Sequence, residues 1–458
     1  MGGERLMLAQ RYAMKIMLAA VSIASVVSAE IGIKTNDSTI SLRLNVDGWL
    51  QTGQMKSWYL ESSPIPNQWL QQDFLDLGFA AIFDKRIRIV GGIEGEMWED
   101  VPRNGPLGPV IFAFQYNSTF IVDNAYGSYS FGDTGAPYLS ITAGRFRYKY
   151  DQDVRNLGEY LFRSGTYPAY LITNFDESFA RLTGLKISSD LFGKLHQDII
   201  LSCSTDLPPY YDMSVSYIGN YDVAKFLNVG WGVQFANLFS VDPSQTTPKV
   251  SQDIYAINGA DTSYYTFAGT KLMARFSFDP KPFIPTDIFG KEDCKLYAEA
   301  AILGLENYPA NDSFSGTANG YTTHNENPWG YNTLAQKIPV VVGFDFPTFK
   351  LLDVLSTEVE WYGCKYPDSY AYEIGDNTAY GVPVPPAYDR DPYPYDNWKW
   401  SVYAKKTFAN DHFAVIVQCA RDHTRMQSES AYTEVDEYEE AMTGPTQWYW
   451  MTKLEARF

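Results

Sequence analysis

The residues between 145 and 163 form the densest set able to do electrostatic work. Arg145, Arg147 and Lys149 alternate at the end of one candidate strand. Asp151, Asp153, Arg155, Glu159 and Arg163 follow among helix-compatible apolar residues. Opposed acids and bases across a narrow aqueous passage would create a transverse field and set an ion preference. The same charges would equally suit the solvated face of a surface loop, and spacing alone leaves both readings open.

Catalytic constellations are sparse. The histidines are His196, His324, His412 and His423, and no GxSxG, HExxH or glycine-rich phosphate loop accompanies them. His412 and His423 fall near opposite ends of one candidate strand, too far apart to share a site. A Ser–His pair drawn from separate strands stays open, because triads assemble in space rather than in sequence; a lipid hydrolase is the enzyme such a pair would make. Cys203, Cys294, Cys364 and Cys419 lie far apart, without CxxC pairs or zinc-finger spacing to His. The expectation is no catalytic residue, no metal site and no cofactor.

Composition narrows the class further. The chain has 458 residues with 36 Lys+Arg against 54 Asp+Glu, a formal charge of -18 that argues against nucleic acid as a partner. With 16% aromatic residues it does not read as disordered. After the first thirty residues no stretch approaches the roughly 18 apolar residues that a spanning helix needs.

Arg5, Arg11 and Lys15 precede an apolar run, Ile16 to Val27, which ends in Val27-Ser28-Ala29 before Glu30. This is the pattern of an export signal over residues 1–29, with Met1 or Met14 as its start. Its removal takes away Arg5, Arg11, Lys15 and Glu4, a net +2, leaving -20 from -18. Residues 30–458 are then one domain.

That domain reads as strands. From Trp448 to Phe458 one face carries Trp448, Trp450, Leu454, Ala456 and Phe458, and the other Lys453, Glu455 and Arg457, which is the period-two signature. In a soluble sandwich the same alternation would put the apolar face in a core. An exported chain that finishes on an amphipathic strand with a terminal Phe resembles the outer-membrane β-barrel proteins of Gram-negative bacteria. In that family the last strand and its Phe are read by the barrel assembly machinery, so Phe458 takes that role here by resemblance.

Alternating segments recur at 39–52, 73–83, 86–98, 119–131, 137–149, 178–188, 195–204, 212–219, 229–239, 265–279, 292–305, 338–346, 353–362, 396–408, 411–421 and 446–458. They predict an all-β, antiparallel up-and-down transmembrane barrel of about 16 strands, with 14 to 18 as the range. One parity sends the short connections, such as Asp84-Lys85 and Ala409-Asn410, to the periplasm and the long ones outside. Two connections strain it: 280–291 is long for a periplasmic turn and 205–211 is short for an outer loop.

Apolar residues of such a wall meet lipid and the alternate residues line the lumen. Ile40, Leu42, Leu44 and Val46 point outward and Arg43, Asn45 and Asp47 inward. Ile87, Ile89 and Ile93 point outward, and Arg86, Arg88, Glu94 and Glu96 inward. By the same rule Lys271, Arg275 and Lys399 line the lumen, which is expected to hold water, since buried ions without partners are costly. Trp398, Trp400, Trp448 and Trp450 suit an aromatic girdle or plain lipid-facing bulk.

The architecture resembles the general porins, whose third outer loop follows the fifth strand and folds into the barrel. Residues 150–177 occupy that position, so the resemblance makes Asp151, Asp153, Arg155, Glu159 and Arg163, over Arg145, Arg147 and Lys149, the pore constriction. It further implies a homotrimer in contact with outer-membrane lipid and lipopolysaccharide, passing ions and small hydrophilic solutes by diffusion. The rival expectation is a non-conducting barrel whose long loops, acidic over 422–445 and aromatic over 363–395, bind a glycan or a partner. An acidic mouth above a basic-leaning lumen leaves the charge preference open.

Overall fold

The computed structural model describes residues 30–34, 39–56, 68–99, 116–163, 179–205, 213–239, 269–303, 338–361, 398–423 and 446–458, apart from 134, 192, 204 and 286, with short paired segments between them. Residues 1–29, expected as the export signal, residues 164–177 and most of the expected outer-loop sequence, Cys364 included, lie outside the described residues.

Sixteen strands run along the chain: β1 (Thr39–Lys56), β2 (Gln68–Phe83), β3 (Ile87–Glu99), β4 (Tyr116–Gly132), β5 (Pro137–Tyr148), β6 (Ala180–Leu191), β7 (Leu195–Cys203) and β8 (Met213–Ala224). They continue as β9 (Leu227–Phe239), β10 (Gly269–Phe278), β11 (Leu296–Ile302), β12 (Val340–Asp345), β13 (Val354–Trp361), β14 (Trp398–Phe408), β15 (Phe413–Arg421) and β16 (Trp448–Arg457). Each pairs antiparallel with the next, and β16 returns to β1 from Lys56↔Trp448 to Asp47↔Arg457. The sheet is therefore a closed up-and-down barrel of sixteen strands, and each expected strand is found. Closure matters physically, because an open edge has no water to satisfy its backbone inside a bilayer.

The seam is finished at Val46, whose N–H donates to the Phe458 carbonyl while Phe458 N–H donates to the Val46 carbonyl, both at 2.9 Å. One strand was not expected. Glu30–Lys34 pairs with the start of β1, Glu30↔Arg43 to Lys34↔Thr39, and continues the line of β16 along the same edge.

Period two explains the outer face. Leu77, Phe79, Ile89, Ile93, Phe120, Val122, Val342, Trp398 and Leu454 are exposed, alternating with inward residues such as Asp76, Glu94, Val341, Lys399 and Glu455, which are buried. The tight connections use left-handed backbone where the turn geometry demands it. Asp84 and Lys85 have φ of 47° and 57°, and Ala409 and Asn410 have 53° and 55°, the mirror-image turn that matches strand twist.

The long connection between β10 and β11 has a physical explanation. Asp293 accepts from Gly290 N–H (2.8 Å), Phe349 N–H (3.0 Å) and the Thr348 hydroxyl (2.9 Å), and Lys281 donates to the carbonyls of Lys291 and Asp293. It is a folded shelf joined to the β12–β13 turn. It also delivers Glu292 and Lys295 to the interior, where they meet the segment that follows β5.

Inside the wall the structure departs from a uniformly polar lumen. Phe146, Tyr148, Tyr150, Leu157, Tyr160, Leu161 and Phe162 form one apolar cluster with Leu182, Ile200, Ile218, Met273, Ala301, Leu303 and Val341. The inward residues of β6 to β12 are thus largely apolar at this level. Burying a large apolar side chain contributes about 1.5–3 kcal/mol, so this part of the interior is a dry core rather than an aqueous surface.

Candidate pore constriction

Residues 150–163 leave the end of β5, turn into the barrel and lie along the inner wall of β9 to β13. The sequence permits this at two glycines. Gly158 has φ +89°, and a Cβ there would stand 3.1 Å from Val341 Cγ1 and 3.3 Å from Glu299 Oε2. On the wall, a Cβ at Gly232 would stand 2.6 Å from Leu161 Cδ1, so the missing side chain makes the hole that receives Leu161. A single helical turn, Tyr160–Arg163, ends the described part of the loop.

Carboxylates of the wall hold the loop by its backbone. Glu358 on β13 accepts from the N–H groups of Arg155 (2.5 Å), Asn156 (3.0 Å) and Leu157 (2.8 Å). Glu299 on β11 accepts from Glu159 N–H and Tyr160 N–H, each at 2.9 Å, and from the Tyr150 hydroxyl at 2.6 Å. Glu360 accepts from the Tyr160 hydroxyl at 2.8 Å and stands 2.5 Å from His423 Nε2. Asp422 accepts from the Asn156 side-chain amide (2.6 Å) and the Tyr449 hydroxyl (2.7 Å). An irregular segment inside a barrel exposes unpaired N–H groups, and charged acceptors are the strongest way to satisfy them.

The charges singled out from sequence divide into two groups. Asp151, Asp153, Arg155 and Glu159 turn toward the wall. Arg275 Nη1 stands 3.3 Å from Asp151, Lys295 Nζ stands 3.0 Å from Asp153, and Arg155 Nη2 stands 3.1 Å from Glu292 and 3.4 Å from Asp345. Glu159 accepts from Asp151 N–H at 2.7 Å. Arg163 is buried, and Lys149 donates to the Val154 carbonyl at 2.8 Å. Lys271, Arg275 and Lys399 stand on the inner face and are buried, the first two beneath the loop.

Burial pushes the Glu159 carboxyl up to about 7, against the pull of Lys149 and the Asp151 N–H, and raises Asp151 as well. For Asp153 burial works upward, but Lys295 and Ser277 outweigh it and hold the carboxyl below its ordinary range. Lys149 is lowered by burial. For Arg155 burial works downward, and the acids around it, Asp345 first, raise it further above its ordinary value.

Across the interior stands a second polyionic group. Arg147 Nη2 is 2.7 Å from Asp76 and 3.3 Å from Glu94, and its Nε is 2.7 Å from Asp123. Arg181 meets the same Glu94 at 2.5 Å and Asp123 at 3.0 Å. Arg145 donates to Thr183 (3.5 Å) and Thr205 (3.2 Å) instead of facing the loop. Beside this group, Asp47 lies within electrostatic reach of Arg147, Arg457 and Glu455. Tyr403 lies likewise near Glu455, Arg155, Arg457 and Glu358. Lys405 and Arg457 pair with Glu455 at 3.3 and 3.1 Å. Arg43 and Arg88 are exposed toward the end of the barrel that carries the tight Asp84-Lys85 turn, and Arg86 closes that turn before β3.

Sequence reasoning placed the loop after the fifth strand but gave Glu299, Glu358, Glu360, Asp422 and His423 no part in holding it. Glu358 and Glu360 share the inner face of one strand at i and i+2, which is the signal that marks them. No three-ligand His/Cys/Asp/Glu group exists among the described residues, where Cys203, Cys294 and Cys419 are free thiols.

Sixteen closed strands with an inward-folded loop after the fifth define a general-porin-like barrel. No family model and no curated protein matches the chain. Among solved structures it is similar to a mutant Rh. blastica porin, with 6% identity over 91% of this chain and 100% of that one at a TM-score of 0.44. It is also similar to OmpF of Salmonella typhi in complex with daunomycin, with 14% identity over 93% and 100% at a TM-score of 0.46. The fold assignment stands on the closed strand ladder and not on these likenesses.

Proposed function

We propose that the protein is an outer-membrane channel through which ions and small hydrophilic solutes diffuse, and that it is exported by residues 1–29. The observation that carries this reading is the loop at 150–163. In its described part it lies against the inner wall, anchored by Glu299, Glu358 and Glu360, and so narrows the interior from that side. On the other side, Arg147, Asp47, Glu455, Arg457, Lys405 and Tyr403 border the remaining passage. A belt of exposed apolar side chains outside and ionic groups within is the division a bilayer selects.

The constriction is the gap between Arg155 on the loop side and Arg147, Asp47 and Arg457 on the wall. Asp151, Asp153, Glu159 and Arg163 shape it by fixing the loop. Lipid and lipopolysaccharide are the neighbours expected for the outer face, the assembly machinery the partner expected for Phe458, and a homotrimer the assembly. Among the described residues Ser188 donates to Asp198, and His196 stands between Asp190 and Asp198. The test is single-channel recording of the refolded protein in planar bilayers. Discrete ohmic steps are expected. Folded protein that never conducts would instead favour the non-conducting, loop-binding barrel.

A further inference from the structure

We infer that the passage prefers anions, because the bases of its rim stand in front of the acids that hold them. This rests on the channel reading above and adds the charge class of the solute.

By count the rim holds at least as many acids as bases, so number does not decide. Order does. The Arg457 side chain is 57% exposed and its partner Glu455 10%. Lys405 is 22% exposed over the same Glu455. Arg147 is 29% exposed, whereas Asp76 is 10% and Glu94 and Asp123 are fully buried. Each of these pairs therefore stands as a dipole with its positive end toward water, whereas on the loop side Arg155 and its partner Glu292 are about equally exposed. A permeating ion meets guanidinium and ammonium groups first, and the carboxylates act through them at longer range, where attraction falls with distance.

Of the acids that could oppose this set, Asp47 stands among the rim bases, within electrostatic reach of Arg457 and Arg147, and those of the loop and its anchors are withdrawn. Asp151 and Glu159 are buried in the loop's own core, Asp153 faces Lys295, and Glu299 and Glu358 are occupied by loop N–H groups. The loop therefore presents no acidic face to the passage. Further along the wall Arg88 is exposed, and its ladder partners Ile82 and Ser128 carry no charge. Guanidinium groups arrayed in this way suit chloride, phosphate and small carboxylates.

Reversal potential across a planar bilayer under a potassium chloride gradient tests the inference. The expected sign is that of chloride moving more readily than potassium. Arg457→Gln and Lys405→Gln should each shift the potential toward the potassium side, and Lys350→Gln in the β12–β13 turn, where Lys350 pairs with Asp287, should leave it in place. Arg147→Gln removes three ion pairs and risks the fold, so the exposed Arg457 carries the test. Adding inorganic phosphate should reduce the chloride current of the unaltered protein more than that of Arg457→Gln. A potassium-preferring or unselective channel overturns the inference while leaving the channel reading intact. So does an anion preference that neither rim variant changes. Absence of current sinks the channel reading itself.

Discussion

Asn156 and Glu358 are 202 residues apart in sequence and joined by a 3.0 Å hydrogen bond from backbone N–H to carboxylate. The same carboxylate takes the N–H groups on either side of Asn156, so one wall side chain holds a whole turn of the loop. Glu358→Ala would leave three donors unpaired at about 1–3 kcal/mol each. Glu358→Gln keeps an acceptor and loses the charge. The expected series in single-channel traces is steady current for the native protein, more flicker for Gln, and the strongest flicker with a lower unfolding temperature for Ala. Equal noise in all three would remove Glu358 as the anchor.

The barrel was legible in the sequence because strand period and burial coincide: Ile87, Ile89 and Ile93 face out and Glu94 faces in, and any register slip would reverse all of them. The loop's position was legible from its place after the fifth strand. Its anchoring was not. Contacts such as Tyr150–Glu299 and Asn156–Asp422 join positions 149 and 266 residues apart, and no local pattern records such pairs. Leu182, Ile200, Ile218 and Met273 were hidden for another reason: on strands with apolar residues on both faces, alternation cannot show that the inner set packs a loop.

Glu159 lies in the loop, buried, with its carboxyl raised to about 7 from an ordinary 4.5. A raised folded-state value means that the folded protein binds this proton more tightly. The contribution is fully present below about 4.5, declines between 4.5 and 7, and is lost above 7. Glu159→Gln keeps a carbonyl for the Asp151 N–H and removes the titration. Its unfolding temperature relative to the native protein should therefore rise from pH 4 to pH 8. A difference that stays flat over that range would show that Glu159 does not change its protonation between the two states.

Lys295 at the end of the β10–β11 shelf pairs with Asp153 of the loop at 3.0 Å, both partly buried. Exposed pairs contribute roughly 0.2–1 kcal/mol and half-buried ones more. A double-mutant cycle with Lys295→Met and Asp153→Asn should return a coupling of about 1 kcal/mol at neutral pH. Asp153 is held below its ordinary value, so this stability is present above about 4 and lost as the pH falls through the lower, folded-state value. Coupling that survives below pH 2 would argue against the ion pair. A vanishing coupling at neutral pH would mean that the shelf is joined to the loop through Arg155 and Glu292 alone.

Leu77 points away from the lumen and is 51% exposed, next to Asp76, which points inward and is buried. In water, replacing so exposed a leucine by arginine changes little. Facing hydrocarbon, the same change is expected to destabilise by about 2–4 kcal/mol at mid-membrane depth and by less near the interfaces. Leu77→Arg and Phe79→Arg should therefore lower the folded fraction in lipid vesicles, read from the heat-modifiable band on gels. Lys85→Arg in the periplasmic turn should not. If both outward arginines fold as well as the native protein, the exposed apolar belt does not face lipid, and the barrel would have to be assigned to a different surrounding.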